Sequence, residues 1–326
     1  MHEFEVLMAE PMPALVVGGL EKGCRLHKLW EASDKDAKLK ELAPRIRGLA
    51  TGGGHKAVNA AFLSQLPQLE IVASYGVGYD HIDAKWAGEH GILVTNTPDV
   101  LNEEVADTAI GLILCAVRQF PQADRYLREG KWLQKPFPLT ATLRDRTLGI
   151  VGLGRIGKAI ATRAETFGLK IVYHGRKAQP DVPYTYYASL VEMARAVDIL
   201  LVIIPGGPET KNLINAEILE ALGPEGVLIN VARGSVVDEQ ALIAALRDRK
   251  IMTAGLDVFA AEPRVPQELI EMEHVVLLPH VGSASVHTRN AMGQLVVDNL
   301  LSYASGRGPL TPVPETPWPR TKSGAH

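Results

Sequence analysis

Residues 147–157 read Thr-Leu-Gly-Ile-Val-Gly-Leu-Gly-Arg-Ile-Gly, an apolar run followed by a glycine-rich turn. The apolar run at 148–151 is typical of a short, buried parallel strand. Three glycines then complete a G-x-G-x-x-G pattern: Gly152, Gly154 and Gly157. A helix is predicted over 158–167 and a second strand over 170–174. This strand–turn–helix–strand order predicts a dinucleotide-binding unit.

Each position of the glycine pattern has a chemical reason. Gly152 permits the tight turn out of the strand, Gly154 lets a pyrophosphate approach the backbone, and Gly157 allows close packing of the helix. The helix N-terminus offers free N–H groups and a partial positive charge to the phosphates. Arg155 and Ile156, inside this turn, are predicted cofactor contacts, with a solvent-facing arginine as the alternative for Arg155.

Composition excludes several classes of protein. The chain has 326 residues, which is enough for two domains, and a net charge of -3 gives no basic surface for nucleic acid. Its two cysteines, Cys24 and Cys115, form no metal-ligand or disulfide pattern. The sequence has no signal-peptide pattern and no membrane-length apolar run, so we expect a cytoplasmic protein with no metal and no membrane partner.

Strands and helices alternate throughout the chain. We therefore predict an α/β protein with two doubly wound domains: a Rossmann dinucleotide-binding domain at 100–286 and a smaller, flavodoxin-like substrate domain. The substrate domain combines 1–99 with 287–326, and a cleft is expected between the domains. Its predicted strands are 5–9, 25–29, 46–51, 69–74 and 92–95.

The second domain is expected to hold six parallel strands. They are predicted at 148–151, 170–174, 199–203, 227–230, 252–256 and 275–278. A long helix over 102–120 joins the domains, an irregular arm covers 121–146, and a final helix over 285–305 returns to the first domain. The tail after Gly306 is rich in proline, which disfavours regular structure.

The end of the second strand indicates which dinucleotide is bound. An NAD enzyme usually carries Asp or Glu there, on the ribose 2′-hydroxyl. Here Gly175, Arg176 and Lys177 follow the strand, so the site has room and positive charge for a 2′-phosphate. We predict NADP(H), with Arg176 as the main ligand and Lys177 in support; use of NAD(H) remains the alternative.

Three polar residues follow later strands of the same sheet. They are Arg233, Glu262 and His280. The carboxyl ends of parallel strands meet at one edge, where open α/β sheets bind ligands. A protonated His280 could donate a proton to a carbonyl oxygen that receives negative charge, and Glu262 beside it would favour the imidazolium. Arg233 could bind a substrate carboxylate and polarise the carbonyl. These residues predict carbonyl reduction.

The chain resembles the D-isomer-specific 2-hydroxyacid dehydrogenase family over nearly its whole length. The matching stretches are Gly-Leu-Gly-Arg-Ile-Gly (152–157), Asn-Val-Ala-Arg-Gly-Ser-Val-Val-Asp (230–238), Gly-Leu-Asp-Val-Phe (255–259) with 262–263, and Leu-Pro-His-Val-Gly-Ser (278–283). The resemblance implies an Arg/Glu/His catalytic set at Arg233, Glu262 and His280. It also implies that Asp257 contacts the nicotinamide carboxamide. Further cofactor contacts are expected at Thr108, Val231 and Gly282.

The resemblance extends to the first domain. Ser-Tyr-Gly-Val-Gly-Tyr-Asp (74–80) resembles the family's substrate loop, so the N–H groups of Val77 and Gly78 are expected to bind the substrate carboxylate. Gly53, in a triple-glycine loop, is a further predicted substrate contact. As in the family, we expect a homodimer formed through the helix at 102–120 and the arm that follows it.

Within the family, Gly175-Arg176 and the stretch 280–285 look most like NADPH-dependent glyoxylate/hydroxypyruvate reductases. Two alternatives remain. One is an NAD-linked dehydrogenase of another 2-hydroxy acid, of the 2-ketogluconate, hydroxyphenylpyruvate or phosphoglycerate type. The other is a dinucleotide-sensing binding protein.

Overall fold

The apolar runs of the sequence form two separate parallel sheets in a computed structural model, which describes residues 3–52 and 57–319. One unit combines the chain up to Leu101 with the chain from Ser285 onward, and the other is Asn102–Ala284. The two units are defined by contacts within the chain. The domain boundaries predicted at 99/100 and 286/287 stay a prediction.

The first unit contains a five-stranded parallel sheet in the order β2-β1-β3-β4-β5. Its strands are β1 (Glu5–Met8), β2 (Arg25–Lys28), β3 (Ile46–Thr51), β4 (Ile71–Ser74) and β5 (Leu93–Thr95). This order is that of flavodoxin-like sheets. β1, β4 and β5 are buried along their whole length, as expected of a parallel sheet covered on both faces.

The helices of the first unit begin at polar capping residues or prolines. They are α1 (Ala14–Gly23), α2 (Lys35–Leu42), α3 (Ala60–Leu63), α4 (Ala84–Glu89) and the C-terminal α12 (Val286–Ala304), with a 3₁₀ turn at Leu29–Glu31. Asp34, Asn59 and Asp83 each accept a backbone N–H at their helix start. α1 packs so closely on α12 that a Cβ added at Gly19 would lie 2.8 Å from Cγ2 of Val297.

The second unit contains seven parallel strands in the order β12-β11-β10-β9-β6-β7-β8. They are β6 (Thr147–Val151), β7 (Lys170–His174), β8 (Thr185–Tyr187), β9 (Ile199–Val202), β10 (Val227–Asn230), β11 (Thr253–Leu256) and β12 (Val276–Leu277). The strand order reverses at β6, which pairs with both β7 and β9. Ligands bind at such a reversal in open α/β sheets.

Helices cover this sheet. They are α5 (Asn102–Arg118), α6 (Phe120–Arg128), α7 (Arg155–Thr166), α8 (Leu190–Ala196), α9 (Ala216–Leu222), α10 (Glu239–Arg247) and α11 (Gln267–Glu271), with 3₁₀ turns at Lys131–Leu133 and Gly234–Val236. The buried face of α5 includes Ala109, Leu112 and Ile113, which pack with strand residues in one hydrophobic core.

Two sequence-based predictions about this unit are wrong. The sheet has a seventh strand, β8, which is a partly exposed edge strand without the apolar run of a buried strand. The arm predicted to be irregular begins with α6, because Pro121 lies in the first helical turn, where proline is tolerated. The preceding helix ends at Arg118, since Gln119 adopts a left-handed φ of 53°.

The tail after Gly306 is anchored although it forms no helix or strand within the described residues. Asn299 in α12 is completely buried, and its Oδ1 accepts the N–H groups of Leu310 and Thr311. Thr316 donates from Oγ1 to the carbonyl oxygen of Val94 and accepts the N–H of the same residue. These hydrogen bonds attach the tail to the first unit.

Candidate active site

The glycine-rich turn connects β6 to α7. Gly152 has a φ of 102°, which favours glycine, and a Cβ there would lie 2.5 Å from the carbonyl oxygen of Ile203. A Cβ on Gly157 would overlap the carbonyl oxygen of Gly152. The first and third glycines of the pattern therefore allow the turn and the close approach of the helix.

The middle glycine faces open space. Apart from its own chain neighbours, a Cβ built on Gly154 would have no atom of the described residues within 4 Å, and α7 begins directly after it without a side-chain cap. Free N–H groups at a helix N-terminus beside an open approach fit the pyrophosphate of a dinucleotide. Contacts from Arg155 and Ile156, which begin α7, stay predictions.

The loop after β7 carries the residues predicted to recognise a 2′-phosphate. Arg176 and Lys177 are exposed, and Gly175 is half-buried. The hydroxyl of Tyr186 in β8 donates to the carbonyl oxygen of Gly175 over 3.1 Å. The loop is thus anchored to the edge strand, while its two cations remain at the surface.

Gln179 joins this loop to the glycine-rich turn, a contact that sequence reasoning missed. Its backbone N–H donates to the hydroxyl of Tyr173 over 2.7 Å, and its Nε2 donates to the carbonyl oxygen of Leu153 over 2.8 Å. Nothing in the sequence pattern signals this bridge. It couples the two loops that are expected to face the phosphates of one dinucleotide.

Arg233 follows β10, where the buried Asn230 shapes the chain. The Oδ1 atom of Asn230 accepts the N–H of Ala232, and its Nδ2 donates to the carbonyl oxygen of Arg233, both over 3.0 Å. A Cβ on Gly234 would overlap the backbone of Phe259, so this turn lies directly against the segment after β11. A buried amide at the end of an apolar strand could have indicated the role of Asn230.

Glu262 and His280 form a pair. The Oε2 atom of Glu262 lies 2.7 Å from Nδ1 of His280, and its Oε1 accepts the N–H of Phe259 over 2.9 Å. An ionised carboxylate only accepts hydrogen bonds, so the hydrogen of this contact belongs to Nδ1. Nε2 is then the ring nitrogen that remains for a ligand on a side chain that is 40% exposed.

The charge of Glu262 is favoured by its surroundings. Burial alone would raise the pKa of this carboxyl, but the hydrogen bond with His280, the N–H of Phe259 and the nearby positive charge of Arg233 hold the pKa below its ordinary value of 4.5. Glu262 is therefore ionised at neutral pH. Its link to both residues brings the predicted catalytic set into one local site.

Asp257 holds the backbone that carries His280. Its Oδ1 and Oδ2 accept the N–H groups of Val281 and Gly282 over 2.7 and 2.8 Å. Its carbonyl oxygen accepts the N–H of His280, which has a left-handed φ of 54°. Burial has the largest effect on this carboxyl and raises its pKa, although the two backbone N–H groups oppose the shift. The predicted contact with a nicotinamide stays a prediction.

Two other predicted cofactor residues touch each other. The Oγ1 atom of Thr108 in α5 donates to the carbonyl oxygen of Gly282 over 3.2 Å. Val231 is buried directly after β10, and its N–H donates to the carbonyl oxygen of Val202. Thr108, Val231 and Gly282 thus all lie in the second unit, near the ends of its strands. Their contact with a cofactor stays a prediction.

The predicted substrate loop follows β4 in the first unit. The carbonyl oxygen of Val77 accepts a hydrogen bond from Nδ2 of Asn96 over 2.8 Å, and that of Gly76 accepts the N–H of Thr97. Within the described chain, the N–H groups of Val77 and Gly78 donate no hydrogen bond. They are available for an anion, although substrate binding here is a prediction. Gly53 lies outside the described residues.

The described part of the chain contains no group of three or more His, Cys, Asp or Glu side chains that could hold a metal ion. Among its helices, none is both long enough and apolar enough to cross a membrane.

The comparisons with known sequences agree with one another. A family model described as D-isomer specific 2-hydroxyacid dehydrogenase, NAD binding domain, matches residues 110–282. Glyoxylate/hydroxypyruvate reductase A of Arabidopsis thaliana is 48% identical over 313 residues, covering 96% of this chain and 100% of that protein. Hydroxyphenylpyruvate reductase of Plectranthus scutellarioides is 46% identical over 313 residues, with the same coverage of 96% and 100%.

Comparison with solved structures agrees. An NADPH-dependent glyoxylate/hydroxypyruvate reductase of Sinorhizobium meliloti, crystallised with NADP and malonate, superimposes with a TM-score of 0.90 at 47% identity. The match covers 98% of this chain and 99% of that one. The predicted α/β class with two parallel sheets is confirmed.

Proposed function

The chain belongs to the D-isomer-specific 2-hydroxyacid dehydrogenase family, and on this premise we propose that it reduces a small 2-keto acid of the glyoxylate or hydroxypyruvate type with NADPH. The observation that carries the proposal is the 2.7 Å contact between Glu262 and His280, with Arg233 close enough to act on the charge of Glu262. The similar reductases of Arabidopsis and Sinorhizobium support the substrate class.

His280 is the general acid of this reaction. Bound NADPH supplies the hydride that reaches the keto carbon. The carbonyl oxygen then gains negative charge, and Nε2 of a protonated His280 donates the proton that completes the D-2-hydroxy acid. Because Nδ1 donates to Glu262, Nε2 is the ring nitrogen that remains to donate to the substrate. Glu262 stabilises the protonated ring before the proton is transferred.

Arg233 binds the substrate carboxylate and polarises the carbonyl group. A guanidinium offers two parallel N–H donors to a carboxylate, which orients a flat 2-keto acid. The hydrogen bond from Asn230 to the carbonyl oxygen of Arg233 supports this role, since it restrains the backbone that carries the guanidinium. In the first unit, the N–H groups of Val77 and Gly78 donate no hydrogen bond within the described chain and are the backbone donors expected to bind a substrate carboxylate.

NADP(H) is the preferred dinucleotide. Positions 174–177 carry no carboxylate that would repel a 2′-phosphate, and Arg176 and Lys177 are exposed beside the end of β7. The related Sinorhizobium enzyme is described as NADPH-dependent, which supports the assignment. NAD(H) is the alternative, and the two dinucleotides are separated by the assay below.

The first test measures oxidation of NADPH and NADH with hydroxypyruvate, glyoxylate and hydroxyphenylpyruvate. We expect turnover with NADPH and the two small acids. Preference for hydroxyphenylpyruvate, which the Plectranthus relative suggests as a second candidate substrate, would contradict the proposed substrate class. Absence of turnover with these and a wider panel of 2-keto acids would favour a dinucleotide-sensing protein.

Replacing Arg176 with Ala is expected to lower kcat/KM for NADPH by about tenfold or more, because a charge-assisted contact with the 2′-phosphate is lost. NADH has no 2′-phosphate, so its kcat/KM should be nearly unchanged. Arg247→Ala, which removes an exposed arginine paired with Asp248, is the control. Equal losses with the two dinucleotides would overturn the role of Arg176.

Replacing Glu262 with Gln is expected to lower kcat/KM for reduction by about tenfold or more, since the amide keeps an acceptor for Nδ1 of His280 but lacks the negative charge that stabilises the protonated ring. In the unmodified protein the pKa of Glu262 is held below 4.5, so the carboxylate is ionised at neutral pH. Glu239→Gln is the matched control, because Glu239 accepts the nearby N–H of Ala260. A kcat/KM unchanged from that of the unmodified protein would contradict the role assigned to Glu262.

The protein acts as a homodimer formed through α5 and the arm that follows it. Five large apolar side chains of this region are exposed: Phe120, Leu127, Trp132, Leu133 and Leu139. Trp132 is 66% exposed and Leu133 is 92% exposed, which is costly in water unless a partner covers them. Sedimentation should find twice the chain mass of 35.3 kDa, and a monomer would contradict the proposal.

A further inference from the structure

Two consecutive carbonyl groups of the loop after β4 face the segment that follows β5. The carbonyl oxygen of Gly76 accepts the N–H of Thr97 over 2.9 Å, and that of Val77 accepts Nδ2 of Asn96 over 2.8 Å. The N–H groups of Val77 and Gly78 donate no hydrogen bond within the described chain. The loop therefore has its acceptors occupied and two of its donors available.

The bound carbonyl groups determine where these two donors point. The peptide units 76–77 and 77–78 are trans. A trans peptide unit is planar, and its C=O and N–H bonds point in opposite directions. Because both carbonyl groups face residues 96 and 97, the N–H groups of Val77 and Gly78 face away from that segment. Two neighbouring backbone donors on one side of a loop suit the oxygens of a carboxylate.

Asn96 is held in turn by the C-terminal tail. Oγ1 of Thr311 donates to the carbonyl oxygen of Asn96 over 2.6 Å, and the N–H of Asn96 donates to the carbonyl oxygen of Thr311. The completely buried Asn299 of α12 fixes Thr311, since its Nδ2 donates to Oγ1 over 2.9 Å and its Oδ1 accepts the N–H of Thr311. A series of hydrogen bonds thus runs from α12 through the tail and Asn96 to the loop.

A second contact joins the tail to the same loop. The hydroxyl of Tyr79, which directly follows Gly78, donates to Oε2 of Glu315 over 3.0 Å. Burial, together with this carboxylate, raises the pKa of Tyr79 to about 12, so the hydroxyl keeps its hydrogen at neutral pH. The tail therefore holds the loop on both sides of the peptide unit 77–78.

We propose that Asn96 is a positioning residue for the substrate carboxylate and that Thr311 of the tail holds Asn96 in place. Asn96 acts through the backbone: by binding the carbonyl oxygen of Val77, it directs the N–H of Gly78 towards the carboxylate. The inference rests on the proposed reduction of a 2-keto acid. It gives the proline-rich tail, far along the chain from the catalytic set, a part in substrate binding.

The test compares Asn96→Asp, Thr311→Val and Thr311→Ser with the unmodified full-length protein. Aspartate has the shape of asparagine, but an ionised carboxylate only accepts hydrogen bonds and cannot bind the carbonyl oxygen of Val77. Valine has the shape of threonine without its hydroxyl, whereas serine keeps the hydroxyl. Thr311→Val changes no charge, so it separates loss of positioning from repulsion of the substrate by a new carboxylate.

Two kinds of measurement are made on each protein. Steady-state reduction of glyoxylate and hydroxypyruvate with NADPH gives KM and kcat. Fluorescence titration gives the Kd of NADPH, and then the Kd of oxamate, a carboxylate that resembles a 2-keto acid, for the NADPH-loaded protein. Thermal unfolding confirms that the compared samples are folded.

Thr316→Val is the matched control. Thr316 is a buried threonine of the same tail, and its Oγ1 donates to the carbonyl oxygen of Val94 and accepts the N–H of Val94. Its removal loosens the tail from β5 without touching the contacts of Asn96. This variant should unfold at a lower temperature but keep the KM of the unmodified protein.

We expect Asn96→Asp to raise KM for both acids and the Kd of oxamate by about tenfold or more, because a backbone donor to a charged group is misdirected. A contact made equally to bound substrate and to the transition state affects KM alone, so kcat should stay within about twofold. Thr311→Val should raise KM by about threefold, the scale of one uncharged hydrogen bond, and Thr311→Ser should restore it. NADPH affinity should be unchanged throughout.

Unchanged KM and oxamate affinity in Asn96→Asp would overturn the inference, and if this variant does not fold, Thr311→Val decides by the same criterion. A fall in kcat at constant KM would assign Asn96 a purely structural role. An equal rise in KM in Thr316→Val would assign the effect to a loosened tail, which also overturns the inference. If the unmodified protein neither reduced these acids nor bound oxamate, the proposed function would fail, and the inference with it.

Discussion

Replacing His280 with Asn is expected to lower kcat for keto-acid reduction by about 10²- to 10⁴-fold, the usual contribution of a positioned general acid. Asparagine is chosen because residue 280 has a left-handed φ of 54°, a conformation that Asn tolerates better than most residues. The variant retains the backbone held by Asp257 but has no imidazole to protonate the developing alkoxide.

Binding of NADPH should survive this change, since His280 is assigned to the substrate and not to the glycine-rich turn. The measurement is steady-state reduction together with fluorescence titration of NADPH. His90→Asn, which replaces an exposed histidine at the end of α4, serves as the control. Unchanged turnover would remove His280 from the mechanism, whereas loss of NADPH binding together with turnover would mean that its role is structural.

Replacing Arg233 with Met is expected to lower kcat/KM for hydroxypyruvate by about 10²- to 10³-fold, the scale for removing a donor that stabilises charge in the transition state. Methionine keeps a long, unbranched side chain but removes the guanidinium. Both KM and kcat should change. KM should rise because the substrate carboxylate loses its partner, and kcat should fall because the carbonyl group is less polarised.

A second effect distinguishes this variant. The positive charge of Arg233 helps to lower the pKa of Glu262, so its removal should raise that pKa and move the acid limb of activity to higher pH. Arg247→Met, on the exposed face of α10, is the matched control. An unchanged kcat/KM would contradict the role assigned to Arg233.

The sequence was most informative where function depends on a local pattern. The run from 147 to 157 predicted a strand, a glycine-rich turn and a helix, and the structure contains all three as β6, the turn and α7. Alternation of apolar runs predicted two parallel sheets. The pattern was least informative at the sheet edge and in the arm, where β8 has no apolar run and α6 begins at a proline.

The candidate site was likewise predicted only in part from the sequence. The positions of Arg233, Glu262 and His280 after three strands indicated that their side chains would meet, because parallel strands end at a common edge. The atoms that meet could not be predicted, since Glu262 and His280 are 18 residues apart and the pairing depends on how two loops pack. Gln179 was missed for the same reason, whereas the contacts of Asn230 are local and a buried amide at a strand end could have indicated them.

The sequence by itself determined the alternating architecture, the dinucleotide turn and the types of residue at the strand ends, because strand and helix periodicity and glycine spacing are local properties of the chain. Only the tertiary contacts show which nitrogen of His280 faces Glu262, how Asp257 holds the backbone of residues 281 and 282, and how Gln179 reaches Leu153, 26 positions before it. These contacts depend on strand order and loop packing, which bring together residues that no local pattern relates.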